Sequence, residues 1–339
     1  MSDKKNIVFI INPRSGRTSK RGLPKLIDKI LDTEDFDYNI LYTEYAGHAT
    51  ELAADAVRNK TDIVVAVGGD GTINEIGRAL IGTDTALGII PCGSGNGLAR
   101  HLEIPLSHQK ALKIIKQCVI HDLDYGRING IPFFCTCGMG FDAIISKQFA
   151  KVSKRGPSAY LDSILKEIVN YKPETYSIEI PATADTEGDS VSHYKAFLIT
   201  CGNASQWGNN AFIAPHASMS DGLMDVIILE PFLPIEVPEL SLQLFSKSID
   251  RNSRIKSFRS NKIIIHREKD GVIHFDGDPI ESDKDVVIEM INRGIKVVVN
   301  PEHTQGSQRE KTLLDAYSEI MNSVYDVRDD IAKIIKNKS

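Results

Sequence analysis

Val67-Gly68-Gly69-Asp70-Gly71-Thr72-Ile73-Asn74-Glu75 sets three glycines around one carboxylate, where a β-branched run gives way to a helical pattern. Glycines there let the backbone take positive φ and approach a ligand closely. Successive N–H groups at a helix start form a nest for an anion such as phosphate. No Gly-Lys-Ser/Thr closes the loop, so it is not a P-loop. A carboxylate beside such a nest repels phosphate, so Asp70 implies Mg²⁺ or a basic partner. A plain turn with Asp70 as helix N-cap is the alternative, but a turn needs one glycine and not three.

Pro91-Cys92-Gly93-Ser94-Gly95-Asn96-Gly97 repeats the arrangement after the next strand-like run, with Ser94 and Asn96 able to donate to phosphate or ribose. The glycine spacing is not the dinucleotide fingerprint. An earlier loop, Asn12-Pro13-Arg14-Ser15-Gly16, adds turn formers and, with Arg17, positive charge. In the second half, Phe275-Asp276-Gly277-Asp278-Pro279 places two carboxylates around a glycine. Such a pair binds a metal or positions a hydroxyl for deprotonation, although Asp-Gly is also a common hairpin turn. Ser218-Met219-Ser220-Asp221-Gly222-Leu223 reads either as a hard-cation site or as a turn. Gly138-Met139-Gly140-Phe141-Asp142 leads from strand to helix, with Asp142 as a candidate N-cap. Cys135 and Cys137 lack a second pair to complete a zinc site, the nine histidines show no ligand spacing, and Trp207 reads as packing.

The elements that must hold these residues fall into two kinds. Through about residue 120, strands at 7–11, 38–43, 63–67 and 86–90 alternate with helical stretches, which implies a parallel sheet covered by helices. Ligands bind at the carboxyl ends of such strands, where every glycine loop above falls. From about residue 125, runs at 133–137, 176–180, 195–201, 224–229, 262–266, 272–275, 286–290 and 295–299 indicate a mostly antiparallel sandwich or barrel. Residues 182–190 read as an exposed hairpin tip. In the tail, Leu313, Tyr317, Ile320, Val324, Val327, Ile331 and Ile334 form one helical stripe. It is read as docked on its own domain, with a homodimer coil as the alternative. The expected organisation is 1–125 α/β, 126–300 β-sandwich and 301–339 helix.

The 339 residues carry 40 Lys+Arg and 45 Asp+Glu, a net charge of −5 that argues against a nucleic-acid partner. No run of about 18 apolar residues occurs, so no helical span is expected. Five scattered cysteines suit a reducing cytosol, and the start reads as a strand rather than a signal peptide. One stretch departs from the average. Over 247–269, Lys247, Arg251, Arg254, Lys256, Arg259, Lys262, Arg267 and Lys269 face only Asp250 and Glu268. It reads as a solvated face or as a patch for anionic lipid headgroups, which Lys151, Lys154 and Arg155 would extend.

Taken together, Gly68-Gly69-Asp70-Gly71-Thr72, the contiguous Ile73-Asn74-Glu75, Asn12-Pro13-Arg14-Ser15-Gly16, Gly93-Ser94-Gly95-Asn96 and Gly140-Phe141-Asp142-Ala143 resemble the diacylglycerol kinase catalytic family. The likeness runs in order to about residue 300, is similar to bacterial diacylglycerol kinases and sphingosine kinases, and extends more distantly to NAD kinases and phosphofructokinases. It implies ATP-dependent, Mg²⁺-dependent phosphorylation of a lipid hydroxyl at the membrane surface, with ATP in a cleft between two domains. Asn12, Pro13, Arg14, Ser15, Gly16, Gly68, Gly69, Asp70, Gly71, Thr72, Asn74, Ser94, Gly95 and Asn96 would hold the nucleotide, and Thr43 matches the family's threonine after the second strand. Asp278 would be the base with Asp276 as its partner, and Asp70 completes the catalytic set. Ser218, Asp221 and Leu223 match a structural Mg²⁺ site, with Asp124 in the network linking it to the active site. Where diacylglycerol kinases have an acid after the loop asparagine, this chain has Gly97, a small residue as in sphingosine-type members, so the lipid stays open between a glycerolipid and a sphingoid. Where sphingosine-type members read the amine with an acid, it has Ile144, with Asp142 two residues away as the candidate substitute. NAD kinase and a non-catalytic lipid-binding protein are the rival classes.

Overall fold

The computed structural model describes residues 4–16, 20–31, 34–151, 167–168, 170–182 and 190–301. Arg17, Lys154, Arg155, most of 182–190 and the tail stripe lie outside them. The described chain divides into two compact units.

The first unit is built on four parallel strands, β1 (Lys5–Ile11), β2 (Phe36–Tyr42), β3 (Ile63–Gly68) and β4 (Ala86–Pro91), in the order β2-β1-β3-β4. Every residue of β3 and β4 is buried, as expected of strands covered on both faces. The cover comes from α1 (Leu23–Ile30), α2 (His48–Arg58), α3 (Asp70–Leu80), α4 (Gly97–His101) and α5 (His108–Gln117). In α3, Ile73, Ile76, Gly77 and Leu80 are buried at spacings of three and four, one apolar face of a helix. β1, β3 and β4 end at residues 11, 68 and 91, each directly before a glycine loop. Ser218–Gly222 and residues 291–301 also belong to this unit, and Val297 pairs in parallel with Leu87 of β4.

The second unit is antiparallel. β5 (Ile120–Ile128) enters it and turns into β6 (Ile131–Phe133). β7 (Thr136–Gly140) leads into α6 (Phe141–Lys151). β8 (Glu174–Ile180) pairs with β9 (Ser190–Ala196), and β10 (Leu198–Gly202) pairs with β7 and with β11 (Met224–Leu229). After α7 (Val237–Phe245) come β12 (Ile255–Ser260), β13 (Lys262–Arg267), β14 (Gly271–Phe275), β15 (Asp278–Ser282) and the long β16 (Asp285–Val298). One sheet runs β12-β11-β10-β7-β14-β15; the other includes β13, β8, β9 and the first half of β16. Ile199, Val226 and Ile273 from the first meet Ile178, Ile263, Ile265 and Ile288 from the second in one core. The first sheet's other face packs Phe141, Leu198, Ile227 and Leu240.

Two strand readings change. The run at 195–201 is not one strand: it breaks at Phe197, whose amide donates to Leu229 O at 2.7 Å, so β9 and β10 lie in different sheets. Conversely, 286–290 and 295–299 belong to one strand, β16, which passes through Arg293 at φ +50°. Among the described residues no helix is long and apolar enough to cross a membrane.

In the stretch 247–269, acids from other segments pair with Arg254 (Glu236, 2.9 Å), Lys256 (Glu230, 3.9 Å), Arg259 (Asp225, 3.1 Å), Lys262 (Glu289, 3.6 Å) and Lys269 (Glu174, 3.5 Å). Arg267 is buried and donates to the carbonyls of Gly271, Val272, Ser282 and Asp283. Each exposed pair adds little to stability.

Candidate active site

In the first unit the three glycine loops are tied edge to edge. Asn12 N–H donates to Val67 O at 3.0 Å, and Cys92 N–H to Gly68 O at 2.7 Å. Asn12 Nδ2 donates to Thr72 Oγ1 at 3.0 Å, while Asn12 Oδ1 accepts the Arg14 amide at 2.9 Å. Ser15 Oγ donates to Asn12 O at 3.1 Å, and Lys20 Nζ to Ser15 O. The second and third loops meet backbone to backbone: a Cβ on Gly93 would stand 2.7 Å from Gly69 Cα, a contact no side chain tolerates. Asn96, at φ +51°, closes its own loop by accepting from Gly93 N–H and donating to Gly93 O, both at 2.8 Å.

Asp70 does not cap its own helix, whose N-cap is Gly69. It heads α3, but its carboxylate serves another helix: Oδ2 accepts the Asn96 amide at 2.9 Å and Oδ1 the Gly97 amide at 2.7 Å. It therefore caps the start of α4 across 26 residues of chain. Two main-chain amides thus meet part of its charge. α3 itself has Gly69 as N-cap and no side-chain cap, which leaves its first-turn amides for an anion. Arg14, Gly71 and Ser94 are exposed on these loops, and Gly95 carbonyl accepts from Arg100 Nε at 3.0 Å. Pro13 and Gly16 share the first loop; Thr43 is buried beside it, its amide donating to Ile11 O at 3.0 Å, and Asn74 is buried with Nδ2 unpartnered. Burial pushes the Cys92 thiol up from its ordinary value, which disfavours the thiolate.

Asp124, expected in a metal network, is fully buried and ties main chain: Oδ2 accepts the Gly222 amide and Oδ1 the Arg293 amide, both at 2.7 Å. Asp124 N–H also donates to Met219 O at 2.7 Å. It thereby holds the loop of Ser218 and Asp221, where Asp221 is exposed and Ser218 Oγ stands 3.4 Å from Ser220 Oγ. Leu223 follows at the foot of β11. Among the described residues no three His, Cys, Asp or Glu side chains cluster as a metal site would require. A site here would therefore rest on carbonyls and one carboxylate.

In the second unit the acidic pair splits into two roles. Asp276 and Gly277 take φ +51° and +87°, the signature of a two-residue type I′ hairpin joining β14 to β15. Asp276 is consumed: its carboxylate accepts the amides of Phe134 (2.8 Å), Cys135 (2.7 Å) and Thr136 (3.1 Å). Its own amide donates to Thr136 O at 2.7 Å. Asp278 is exposed, at the head of the edge strand β15. Asp142 is buried; it accepts from Thr200 Oγ1 at 2.6 Å and the Ala143 amide at 2.8 Å, and faces His274 Nε2 at 3.0 Å. Sequence reasoning passed over His274 and Thr200. Their only signal was His274 standing two residues before Asp276.

The first unit is thus a parallel α/β fold with glycine loops at its strand ends, and the second is antiparallel and carries Asp278 exposed at the head of a hairpin strand. The family profile described as diacylglycerol kinase catalytic domain matches residues 6–128, and the one described as YegS C-terminal NAD kinase beta sandwich-like domain matches 135–299. The chain belongs to the diacylglycerol kinase family. It is 30% identical over 236 residues to a diacylglycerol kinase of Staphylococcus saprophyticus, covering 67% of this chain and 73% of that one. It is 29% identical over 241 residues to the diacylglycerol kinase of Mycobacterium tuberculosis, covering 69% and 75%. In structure it is similar to a diacylglycerol kinase from Bacillus anthracis, with a TM-score of 0.66 at 22% identity over 89% of this chain and 99% of that one. It is also similar to yeast NADH kinase, with a TM-score of 0.50 at 12% identity over 95% and 89%. Both structural likenesses speak for the fold.

Proposed function

We propose that this kinase transfers the γ-phosphoryl group of ATP to the free hydroxyl of diacylglycerol, with Asp278 as the general base. The observation that carries the reading is the division of labour at the hairpin: Asp276 is spent on three amides, while Asp278, two residues on, is exposed. Diacylglycerol is favoured over a sphingoid base because the acid nearest the amine-reading position, Asp142, is buried and occupied, and position 144 is isoleucine. The relatives named diacylglycerol kinase support the same choice.

The chemistry asked of the chain is mainly positioning. The first-turn amides of α3, with Arg14 and Ser94, hold phosphate oxygens; Asn12 and Asn96 keep the loops in register. Asp278 accepts the hydroxyl proton as the oxygen attacks the γ-phosphorus, and ADP leaves with the electrons of the broken P–O bond. Mg²⁺ would take the Asp221 carboxylate with the Ser218 and Leu223 carbonyls, a hard-oxygen set that suits it. When bound it would neutralise charge in its vicinity. The substrate resides in a bilayer, so the enzyme works at a membrane surface.

The test is transfer of ³²P from ATP to a panel of dioleoylglycerol, sphingosine, ceramide and NAD. Label in phosphatidic acid is expected. Label in NADP with none in lipid would overturn the reading in favour of the NAD kinase alternative.

A further inference from the structure

Gly138, Thr200 and His274 stand abreast on three neighbouring strands: β7 pairs Gly138 with Thr200 of β10 on one side and with His274 of β14 on the other. The middle position has no side chain, and Asp142 reaches into the space from the first turn of α6. A Cβ on Gly138 would lie 2.5 Å from Asp142 Oδ2 and 3.2 Å from His274 Nε2. All three polar side chains are buried, with Thr200 0%, His274 3% and Asp142 8% exposed. His274 Nε2 stands 3.0 Å from Asp142 Oδ2, a hydrogen bond in the tautomer with the proton on Nε2. Among the described residues His274 Nδ1 is buried with no partner, so Asp142 supplies the ring's one hydrogen bond there.

Burying a carboxylate and an imidazole is unfavourable unless each is satisfied by the other. An apolar pair would fill the same volume, so the polar pair supplies direction. His274 precedes the turn residue Asp276 by two positions and Asp278 by four. Asp278 heads β15, an edge strand whose sheet neighbour is β14, with Phe275 opposite Asp278 and His274 opposite Pro279. Where Asp278 is presented therefore depends on where β14 is held. On one side Asp276 anchors the turn to Phe134, Cys135 and Thr136. On the other, His274 anchors the strand to α6, whose Lys147 also pairs with Glu281 of β15.

We infer that Asp142 and His274 are positioning residues for phosphoryl transfer: their buried hydrogen bond locks β14 to the start of α6 and so sets where the Asp278 carboxylate is presented. The inference rests on Asp278 being the base. Leucine at 274 fills the ring's volume without a donor, whereas glutamine restores an N–H close to Nε2. In the full-length kinase, assayed with dioleoylglycerol in mixed micelles, His274→Leu is expected to lower kcat about tenfold or more, with KM for ATP within about twofold. His274→Gln should recover most of the loss. The amide of Asp276 should exchange at least about tenfold faster in His274→Leu, with β10 and β11 unchanged and the glutamine variant native-like.

An unchanged kcat in folded His274→Leu, or a glutamine variant as impaired as leucine, would overturn the inference. Should His274→Leu not fold, Asp142→Asn decides. It leaves one acceptor where two donors converge, and must accelerate exchange at Asp276 and lower kcat; native behaviour in both sinks the idea. Asp278→Asn keeps the two claims apart. If that variant stays active, the base assignment fails while the exchange readout still reports whether Asp142 and His274 hold the hairpin.

Discussion

Two carboxylates that look catalytic by sequence each bond main-chain amides, and they differ in what stands beside them. Asp70 in the first unit and Asp276 in the second each sit among glycines, and each spends its charge on main-chain amides distant in sequence. At Asp70 the result is a set of loops whose exposed points are backbone, one arginine and one serine. At Asp276 the result is a hairpin that displays a second acid, Asp278. On the function proposed above, the first unit holds an anion with dipoles and the second offers one side chain to a hydroxyl.

The comparison is most exposed at Asp278. Asp278→Asn should lower turnover about a thousandfold, roughly 4 kcal/mol in the barrier, with ATP affinity unchanged. Activity within tenfold of native would erase the distinction between the two acids. Asp276→Ala strands three amides and should destabilise the second unit by about 3 kcal/mol. Chemical unfolding reads it, and a loss of activity without a loss of stability would return Asp276 to the chemistry. Asp70→Ala removes a helix cap and should lower stability by about 1 kcal/mol, leaving the magnesium requirement as in the native chain. A shifted requirement would return Asp70 to a metal.

The smallest effect concerns His266, whose pKa is raised by its hydrogen bond to Asp285 at 2.7 Å, with Glu179 assisting. A raised folded pKa means the pair's stabilisation is fully present below the unfolded value of about 6.5 and is lost as pH rises through the folded pKa. The urea midpoint should therefore decline slightly above that range, and the Asp285→Asn variant should lose the dependence. Half-exposure keeps the amplitude small.

Legibility in the sequence followed the distance over which each feature is determined. The parallel sheet could be read because each strand is a short β-branched run ended locally by glycine. The hairpin of Asp276 and Gly277 was readable for the same reason. What those carboxylates bond was not: Asp276 reaches residues 140 to 142 positions away and Asp142 meets His274 across 132, pairings that only the folded sheet specifies. The acids that pair with the basic stretch come likewise from segments distant in sequence. At Phe197 and Arg293, local pattern gave the wrong strand count because sheet switching and strand continuation are set by the partners on either side.

The return of late residues to the first unit has a consequence for how the molecule is made. Asp124 waits for the amides of Gly222 and Arg293, and Leu87 on β4 for Val297. On the ribosome, the early chain thus emerges with its last parallel strand lacking a neighbour until nearly the whole described sequence has been synthesised. An all-buried strand such as β4, waiting that long with an open edge, is where a nascent chain is most prone to pair wrongly. A fragment cut near residue 125 would inherit the same open edge permanently.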